Sequence, residues 1–116
     1  MKDYSAMSDY DINLLVNRSL GLKHYPNEEK KVIEVFGDIV IFDPCNNPAD
    51  AWPIILNSGI NIFTDMIPHG LLGQARVSVI NGKRIGAECL IAKNKNPLRA
   101  AMEVYLKMKE AEKGHG

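Results

Sequence analysis

The chain has 116 residues, of which 46% are hydrophobic and 24% charged, and its formal net charge at pH 7 is zero. This size suits one domain with one core, and this composition excludes a disordered or fibrous chain. No apolar run approaches the roughly 20 residues of a membrane span, and the first residues do not resemble a signal peptide, so we expect a single cytosolic domain over residues 1–116.

Charge is distributed unevenly along the chain. Residues 1–65 contain ten acidic and five basic residues, whereas residues 66–116 contain four acidic and nine basic residues. The net charges of the two parts are therefore −5 and +5. Such an asymmetry is compatible with a nucleic-acid face or with a homodimer contact, although it commonly means nothing once a chain is folded.

The first predicted helix covers residues 8–20. Ser8 is a favourable N-cap, and Asp11 follows it three residues later, as in a capping box. Gly21 is placed to end the helix in the left-handed conformation. The polar segment after it, residues 22–31, is predicted to be a solvated loop.

Residues 32–42 form a β-rich segment, in which branched and aromatic side chains dominate. Gly37 and Asp38 interrupt the segment and leave two interpretations open. Either one long strand contains a bulge, or two short strands meet at a tight turn. The second interpretation, a hairpin, is slightly favoured.

A second helix is predicted over residues 51–58, with Asp50 as its N-cap. On this interpretation Pro53 lies in the first turn, where its missing N–H costs little. The alternative start has Asn47 as the cap and Pro48 at the first helical position. It is disfavoured because Pro53 would then lie inside the helix and remove a backbone donor.

Trp52, Ile55 and Leu56 share one face of this helix, a pattern that predicts contact with the core. Residues 60–63 follow as a short strand rich in apolar side chains. Residues 64–74, which contain a proline and two glycines, are predicted to be a loop.

A hairpin is predicted around Asn81 and Gly82. A two-residue turn would pair Val79 with Arg84 and would mix apolar and polar residues on both faces. A three-residue loop with a bulge at Gly82 pairs Val79 with Lys83 and separates the faces, so this register is favoured. The predicted buried face then contains Ala75, Val77, Val79, Ile85, Ala87, Cys89 and Ile91.

The last predicted helix begins with Asn96 as its cap and Pro97 at its first position. Residues 114–116 are predicted to be a flexible tail. The inner stripe of the helix contains Leu98, Ala101, Met102, Tyr105 and Leu106. Together these elements predict an α+β fold, in which a small, mainly antiparallel sheet packs with three helices.

The chain shows no motif of a known catalytic or phosphate-binding class. Cys45 and Cys89 are interpreted as free thiols, because neither belongs to a paired-cysteine motif. The three histidines lie far apart in sequence, which gives no metal-binding spacing. We therefore predict no catalytic residue, no metal and no cofactor; the sequence favours a non-enzymatic protein but leaves the question of enzymatic activity open.

The candidate binding residues are concentrated in the loop at residues 43–50 and the start of the helix after it. These side chains would form a polar recognition loop with an aromatic platform, or they would only satisfy turn and cap donors, which is the commoner outcome. A weaker third interpretation is a small enzyme that uses Asp43 or Cys45. The candidates are Asp43, Cys45, Asn46, Asn47, Asp50 and Trp52.

The basic C-terminal half supplies an alternative, in which the protein binds nucleic acid through phosphate contacts. Its candidate residues are Arg76, Arg84, Lys93, Lys95 and Arg99.

Three blocks, at residues 9–13, 42–55 and 96–102, resemble the phage NinX family, which belongs to lambdoid phages and their prophages. The resemblance implies a bacterial host cytoplasm and an accessory role, and it supplies no catalytic residues. The leading hypothesis is a non-enzymatic module that binds a host or phage protein through the loop at 43–50. No membrane partner is expected.

Overall fold

The structure is a computed structural model that describes residues 2–36, 40–67, 70–77, 79–80, 83–84 and 90–114. Within these ranges it contains the α-helices α1 (Asp9–Leu20), α2 (Pro48–Ser58) and α3 (Pro97–Gly114). The described strands are β1 (Tyr25–Asn27), β2 (Val32–Phe36), β3 (Val40–Ile41), β4 (Asn61–Ile67), β5 (Gly70–Val77), β6 (Val79–Ile80), β7 (Lys83–Arg84) and β8 (Leu90–Asn94). The pairings among them are antiparallel. The predicted α+β fold with three helices is therefore confirmed.

The described strands form two three-stranded sheets, in the orders β1-β2-β3 and β4-β5-β8, and a two-stranded ladder of β6 and β7. α3 packs against the β4-β5-β8 sheet, and both α1 and α2 pack against α3. The β1-β2-β3 sheet contacts α1 through β2. The core therefore lies around α3, which the larger sheet and the two other helices cover.

The boundaries of α1 follow the local sequence signals. Ser8 is the N-cap, and its hydroxyl accepts a hydrogen bond from the backbone N–H of Asp11 at 3.1 Å. Gly21 ends the helix with a φ of 68°, a left-handed conformation that glycine adopts without steric cost. Ile12 and Val16 are fully buried and fix the inner face of the helix.

The predicted start of α2 is wrong. The helix begins at Pro48, and Asn47 is its N-cap, with the side-chain oxygen of Asn47 accepting from the N–H of Ala49 at 3.0 Å. Pro53 therefore lies inside the helix. Its missing N–H would have bonded the carbonyl of Ala49, and both residues are exposed, so water can replace that bond.

The predicted inner face of α2 is also wrong in part. Ile55 is buried as expected, but the other buried residues are Ala51 and Ile54. Trp52 is 54% exposed and Leu56 is 60% exposed. Since α2 is apolar on more than one side, its periodicity alone did not select the face that packs against the core.

Two segments predicted to be loops contain strands. Residues 25–27 form the edge strand β1, which pairs with β2. Residues 64–67 and 70–74 extend β4 and β5 into a long antiparallel pair. Pairing across a sheet supplies hydrogen bonds to polar and glycine-containing segments that their own β-propensity would not predict.

The hairpin interpretation of residues 32–42 agrees with the structure. β2 and β3 are separate strands that pair antiparallel, with Glu34 opposite Ile41 and Phe36 opposite Val40. The pairing contains an irregularity between Glu34 and Phe36. The turn positions that the sequence placed at Gly37 and Asp38 lie outside the described residues.

The favoured register of the second hairpin is wrong. Val79 pairs with Arg84, which is the register of a two-residue connection. Further along, Ala75 lies opposite Ala92, so Ala92 is on the buried face and Ile91 is on the other face. A one-residue difference in register exchanges the faces of a strand, and this is the error in the prediction. The predicted burial of Cys89 falls outside the described residues.

α3 is buried around most of its circumference. Residues 99–106 are all buried, because neighbouring elements cover the helix on several sides. Of the predicted inner stripe, Ala101, Met102, Tyr105 and Leu106 are buried and Leu98 is half-buried. Of the predicted tail, residues 115 and 116 lie outside the described ranges. Among the described helices, none combines the length and the apolar character needed to cross a membrane.

The sheet approaches the first turn of α3 at backbone distance. A Cβ atom on Gly73 would lie 2.7 Å from the Cα of Pro97, closer than real Cβ contacts. Glycine is therefore required at this position of β5 by the close approach of α3. At the β8 edge of the sheet, the amine of Lys107 donates to the carbonyl of Ile91 at 2.7 Å. This bond satisfies an acceptor on the edge strand.

Candidate functional site

The N-terminal ends of the three helices meet at one place. The segments that converge there are residues 9–13 of α1, residues 43–50 before and within α2, and residues 96–103 at the start of α3. We call the hydrogen-bonded side chains at this place the polar junction. Its members are Asp9, Asn13, Asp43, Asn46, Asn47, Asp50, Asn96, Arg99 and Glu103.

Asn13 joins α1 to the loop at 43–50. Its side-chain amide donates to Asp43 at 2.8 Å, and its side-chain oxygen accepts from the backbone N–H of Cys45 at 3.2 Å. Asn13 is only 5% exposed. Both ends of this side chain are therefore satisfied in a site that water hardly reaches, which makes Asn13 a structural bridge.

Asn46 and Asn96 join the loop to α3. The amide of Asn96 donates to the backbone carbonyl of Cys45 at 2.6 Å and to the side-chain oxygen of Asn46 at 3.0 Å. The oxygen of Asn96 accepts from the N–H of Leu98 at 3.0 Å, so Asn96 also caps α3 as predicted. The amide of Asn46 in turn donates to Asp9 at 3.1 Å.

Asp50 acts within the junction and not as the helix cap. Its carboxylate accepts from the backbone N–H of Asp43 at 2.9 Å and from the amide of Asn47 at 3.2 Å. It lies in the first turn of α2, where a negative charge is favoured by the helix dipole. Asp50 thus closes the loop on itself while Asn47 caps the helix.

Arg99 is the charged centre of the junction. Its guanidinium forms ion pairs with Asp9 and with Glu103, and it also donates to the backbone carbonyls of Tyr4 at 2.9 Å and Met7 at 2.6 Å. Its side chain is 6% exposed, and that of Glu103 is 3% exposed. Although burial alone would lower the pKa of Arg99, the bond to Asp9 and the charge of Glu103 raise it. Arg99 is therefore a buried, fully paired cation.

Cys45 is buried at the centre of the loop, with no exposed surface. Burial raises the pKa of the Cys45 thiol far above its ordinary value, and the charge of Asp9 raises it further. The thiol lies 3.8 Å from the carbonyl of Asp9, its hydrogen-bond acceptor. Because a nucleophilic cysteine requires a low pKa and access to substrate, the geometry does not support the interpretation of Cys45 as a nucleophile.

Most of the predicted loop residues thus serve the fold. Cys45 is buried, and Asp43 and Asp50 are half-buried and bonded inside the junction. Asn46 and Asn47 are exposed, although their amides are occupied by internal hydrogen bonds. Within the described part of the chain, no group of three or more metal-ligating side chains could hold a metal ion.

Trp52 differs from the other candidates, because its ring is exposed beside the junction. It lies one turn before Leu56, and the two large apolar side chains form the exposed surface that we call the α2 patch. Pro53, next to Trp52, lines a groove of about 560 Å³ on the neighbouring side of α2. The other apolar residues of this groove are Leu20, Leu22, Val35, Val40, Phe42, Ala49 and Ile54.

The basic candidates separate into two groups. Arg99 is buried and paired, so it is not free to contact phosphate, and this part of the nucleic-acid prediction is not supported. Arg76, Lys93 and Lys95 are exposed. The side chain of Arg84 lies outside the described part of the structure.

Sequence reasoning missed the roles of Asn13, Arg99 and Glu103. One signal was present, since Asn13 and Asn17 lie four residues apart beside the buried residues of α1, where polar side chains need partners. No local signal could have paired Asp9 with Arg99, because 90 positions separate them.

Comparison with known proteins identifies the family of the chain. The family described as Bacteriophage P22, NinX, matches residues 3–109. The match includes all three segments of the polar junction. No curated protein and no solved structure matched the chain.

Proposed function

Because this chain belongs to the bacteriophage P22 NinX family over residues 3–109, we propose that it is a non-enzymatic phage accessory protein that binds another protein of the phage or its host. Family membership supports the accessory role. The exposed α2 patch, made of Trp52 and Leu56, is the observation that carries the proposed binding role.

The α2 patch has the properties of an interface centre. Trp52 and Leu56 are 54% and 60% exposed, and they lie one helical turn apart on the same side of α2. Tryptophan is enriched among the residues that contribute most to protein–protein binding. An exposed pair of large apolar residues marks a binding surface, because a partner that excludes water from these residues lowers the free energy of the complex.

The loop at residues 43–50 adds polar groups to one side of the α2 patch. Asn46 and Asn47 are exposed there, and a polar rim around an apolar centre is typical of protein interfaces. The backbone of Cys45, which precedes them, is held by hydrogen bonds to Asn13 of α1 and to Asn96, the cap of α3. A surface that is already rigid loses little conformational entropy when it binds, so this loop favours association.

The groove beside α2 extends the apolar surface. Leu20, Leu22 and Val40 are each about 40% exposed and contribute to its lining. Pro53, which contributes to the lining, directly follows Trp52 in the helix. A partner that presents apolar side chains could therefore cover the α2 patch and enter the groove in one continuous contact.

The test is affinity capture from phage-infected cells with the wild type and the double variant Trp52→Ser/Leu56→Ser. We expect a specific partner to be retained by the wild type and lost by the double variant, because replacing a tryptophan at the energetic centre of an interface costs about 2 kcal/mol or more of binding free energy. The matched control is Tyr25→Ser, since Tyr25 is 66% exposed on the edge strand β1 and belongs neither to α2 nor to the lining of the groove.

A purified partner then allows a direct measurement. Trp52 is the only tryptophan of the chain, so its fluorescence reports on the α2 patch alone. We expect the partner to protect Trp52 from acrylamide quenching and the Tyr25→Ser variant to bind as the wild type does. Equal capture by the wild type and the double variant, with both folded, would refute the proposed surface. Light scattering of the isolated protein identifies the case in which the partner is a second copy of the chain.

A further inference from the structure

The β4-β5-β8 sheet has one covered face and one open face. Ile62, Ala75 and Ala92 lie opposite one another in a row on the face that packs into the core. The next row contains Phe63, Gln74 and Lys93, and side chains one position along a strand point to the other face. Phe63 and Lys93 are exposed, which identifies this as the open face.

An aromatic ring lies at this open face. Phe63 is 49% exposed. The guanidinium of Arg76 lies 5.4 Å from the centre of its ring, a cation–π contact. Arg76 lies on the same face as Phe63, in the row two positions away, opposite Asn61 and Ile91.

The charge of the open face is mainly positive. Arg76 lies on β5, the strand beside Phe63, Lys93 lies on β8 in the same row as Phe63, and both cations are exposed. Lys95, also exposed, follows directly after β8. Asp65, the acidic residue of β4, lies two positions beyond Phe63, so it leaves the side of the ring near Arg76 positive.

We infer that the open face of the β4-β5-β8 sheet binds single-stranded nucleic acid, with Phe63 stacking on a base and Arg76 and Lys93 contacting phosphates. An exposed aromatic ring beside cations is an arrangement that binds single strands, because every base has a flat face and every linkage carries a negative charge. A duplex hides its base faces, so Phe63 gives no advantage there.

This site is independent of the α2 patch. Phe63 and Arg76 lie on strands, and the proposed protein-binding residues lie on α2. Substitutions in one surface are therefore expected to leave the other unchanged. The exposed residues also have no part in the polar junction, so their replacement tests binding without removing an internal hydrogen bond of that junction.

The test is fluorescence anisotropy with labelled oligo(dT) and oligo(U) of about 20 nucleotides, which exceeds the roughly 4–16 nucleotides that one small domain covers. A DNA duplex of the same length is the third probe. We expect both single strands to bind more tightly than the duplex. A preference for oligo(U) over oligo(dT) would identify RNA as the target, and the reverse preference would identify DNA.

Substitutions at Phe63 and at Lys93 separate stacking from charge. Phe63→Ala is expected to weaken single-strand binding about tenfold, and Phe63→Trp is expected to restore it, because both aromatic rings stack on bases. Lys93→Ala is expected to reduce the slope of log affinity against log salt by about 0.7, the value for one phosphate contact on a single strand. Lys30→Ala, which removes an exposed lysine from the turn after β1, is the control.

Three results would overturn the inference. They are no binding of any single strand at low salt, equal binding of single strand and duplex, and unchanged affinity in folded Phe63→Ala. Circular dichroism verifies the fold of each variant. If Phe63→Ala does not fold, Arg76→Gln replaces it, and unchanged affinity and salt dependence in that variant would likewise refute the site.

Discussion

The side chains of Asn46 and Asn96, 50 positions apart, meet through a hydrogen bond of 3.0 Å. This bond joins the loop before α2 to the first residue before α3, and the same amide of Asn96 holds the carbonyl of Cys45. The loop that looked most like a recognition segment is therefore tied into the fold at its centre. Its exposed edge, and not its buried polar groups, is left for binding.

Replacing Asn13 tests the bridge between α1 and this loop. Asn13→Ala leaves the backbone N–H of Cys45 without its partner in a buried site, and an unsatisfied buried donor costs about 1–3 kcal/mol. We expect the urea midpoint of unfolding to fall accordingly. Asn57→Ala is the control, because Asn57 is exposed on α2 and surface substitutions usually change stability by less than about 0.5 kcal/mol. Similar midpoints for the two variants would contradict the bridging role.

The buried ion pair of Arg99 and Glu103 gives a second prediction. Arg99→Met leaves the carboxylate of Glu103 buried without a counter-charge, and breaking such a pair costs about 3–5 kcal/mol. The double variant Arg99→Met/Glu103→Leu is expected to be more stable than Arg99→Met, since it removes the stranded charge. Denaturant unfolding of all four combinations measures the coupling between the two residues. A double variant less stable than Arg99→Met would show that the pair contributes mainly through other bonds.

Tyr4 predicts a dependence of stability on alkaline pH. Burial, with the hydrogen bond from its hydroxyl to Glu110, raises the pKa of Tyr4 from 10.0 to about 12. Between these values the folded state keeps a proton that the unfolded state releases, so stability falls as pH rises. The urea midpoint of the wild type should therefore decrease more between pH 10 and 12 than that of Tyr4→Phe. Parallel decreases in the two proteins would show that Tyr4 has no such role.

Cys45 should be inert in the folded protein. Its thiol is fully buried, and burial raises its pKa, so little thiolate is available to react. In a Cys89→Ser background, we expect iodoacetamide to label Cys45 slowly under native conditions and rapidly in urea. Mass spectrometry measures the modified fraction over time. Rapid labelling of the native protein would show that the Cys45 thiol is accessible and reactive.

Local signals predicted the helices where a residue acts on its near neighbours. Ser8 caps α1, Gly21 ends it and Asn96 caps α3, all as expected. Each of these interactions connects residues within about one helical turn, so the sequence contains both partners. The predicted start of α2 was wrong because two caps were available, Asn47 and Asp50. Asp50 accepts from the N–H of Asp43 instead, and Asn47 is the cap.

Pairing and packing could not be predicted in the same way. The faces of β5 and β8 depend on a register that sets Ala75 opposite Ala92, and no residue near either position specifies it. The exposure of Trp52 depends on which apolar side of α2 meets α3. Both choices are made by elements distant in sequence.

The sequence by itself determined the α+β class, the ends of α1, the cap of α3 and the family to which the chain belongs. Only the tertiary structure showed that three separate blocks form one polar junction, and that Trp52 and Phe63 lie at the surface. The physical reason is the range of the interactions. A cap is satisfied within one turn, whereas a buried polar network and a packed face exist only when distant segments exclude water together.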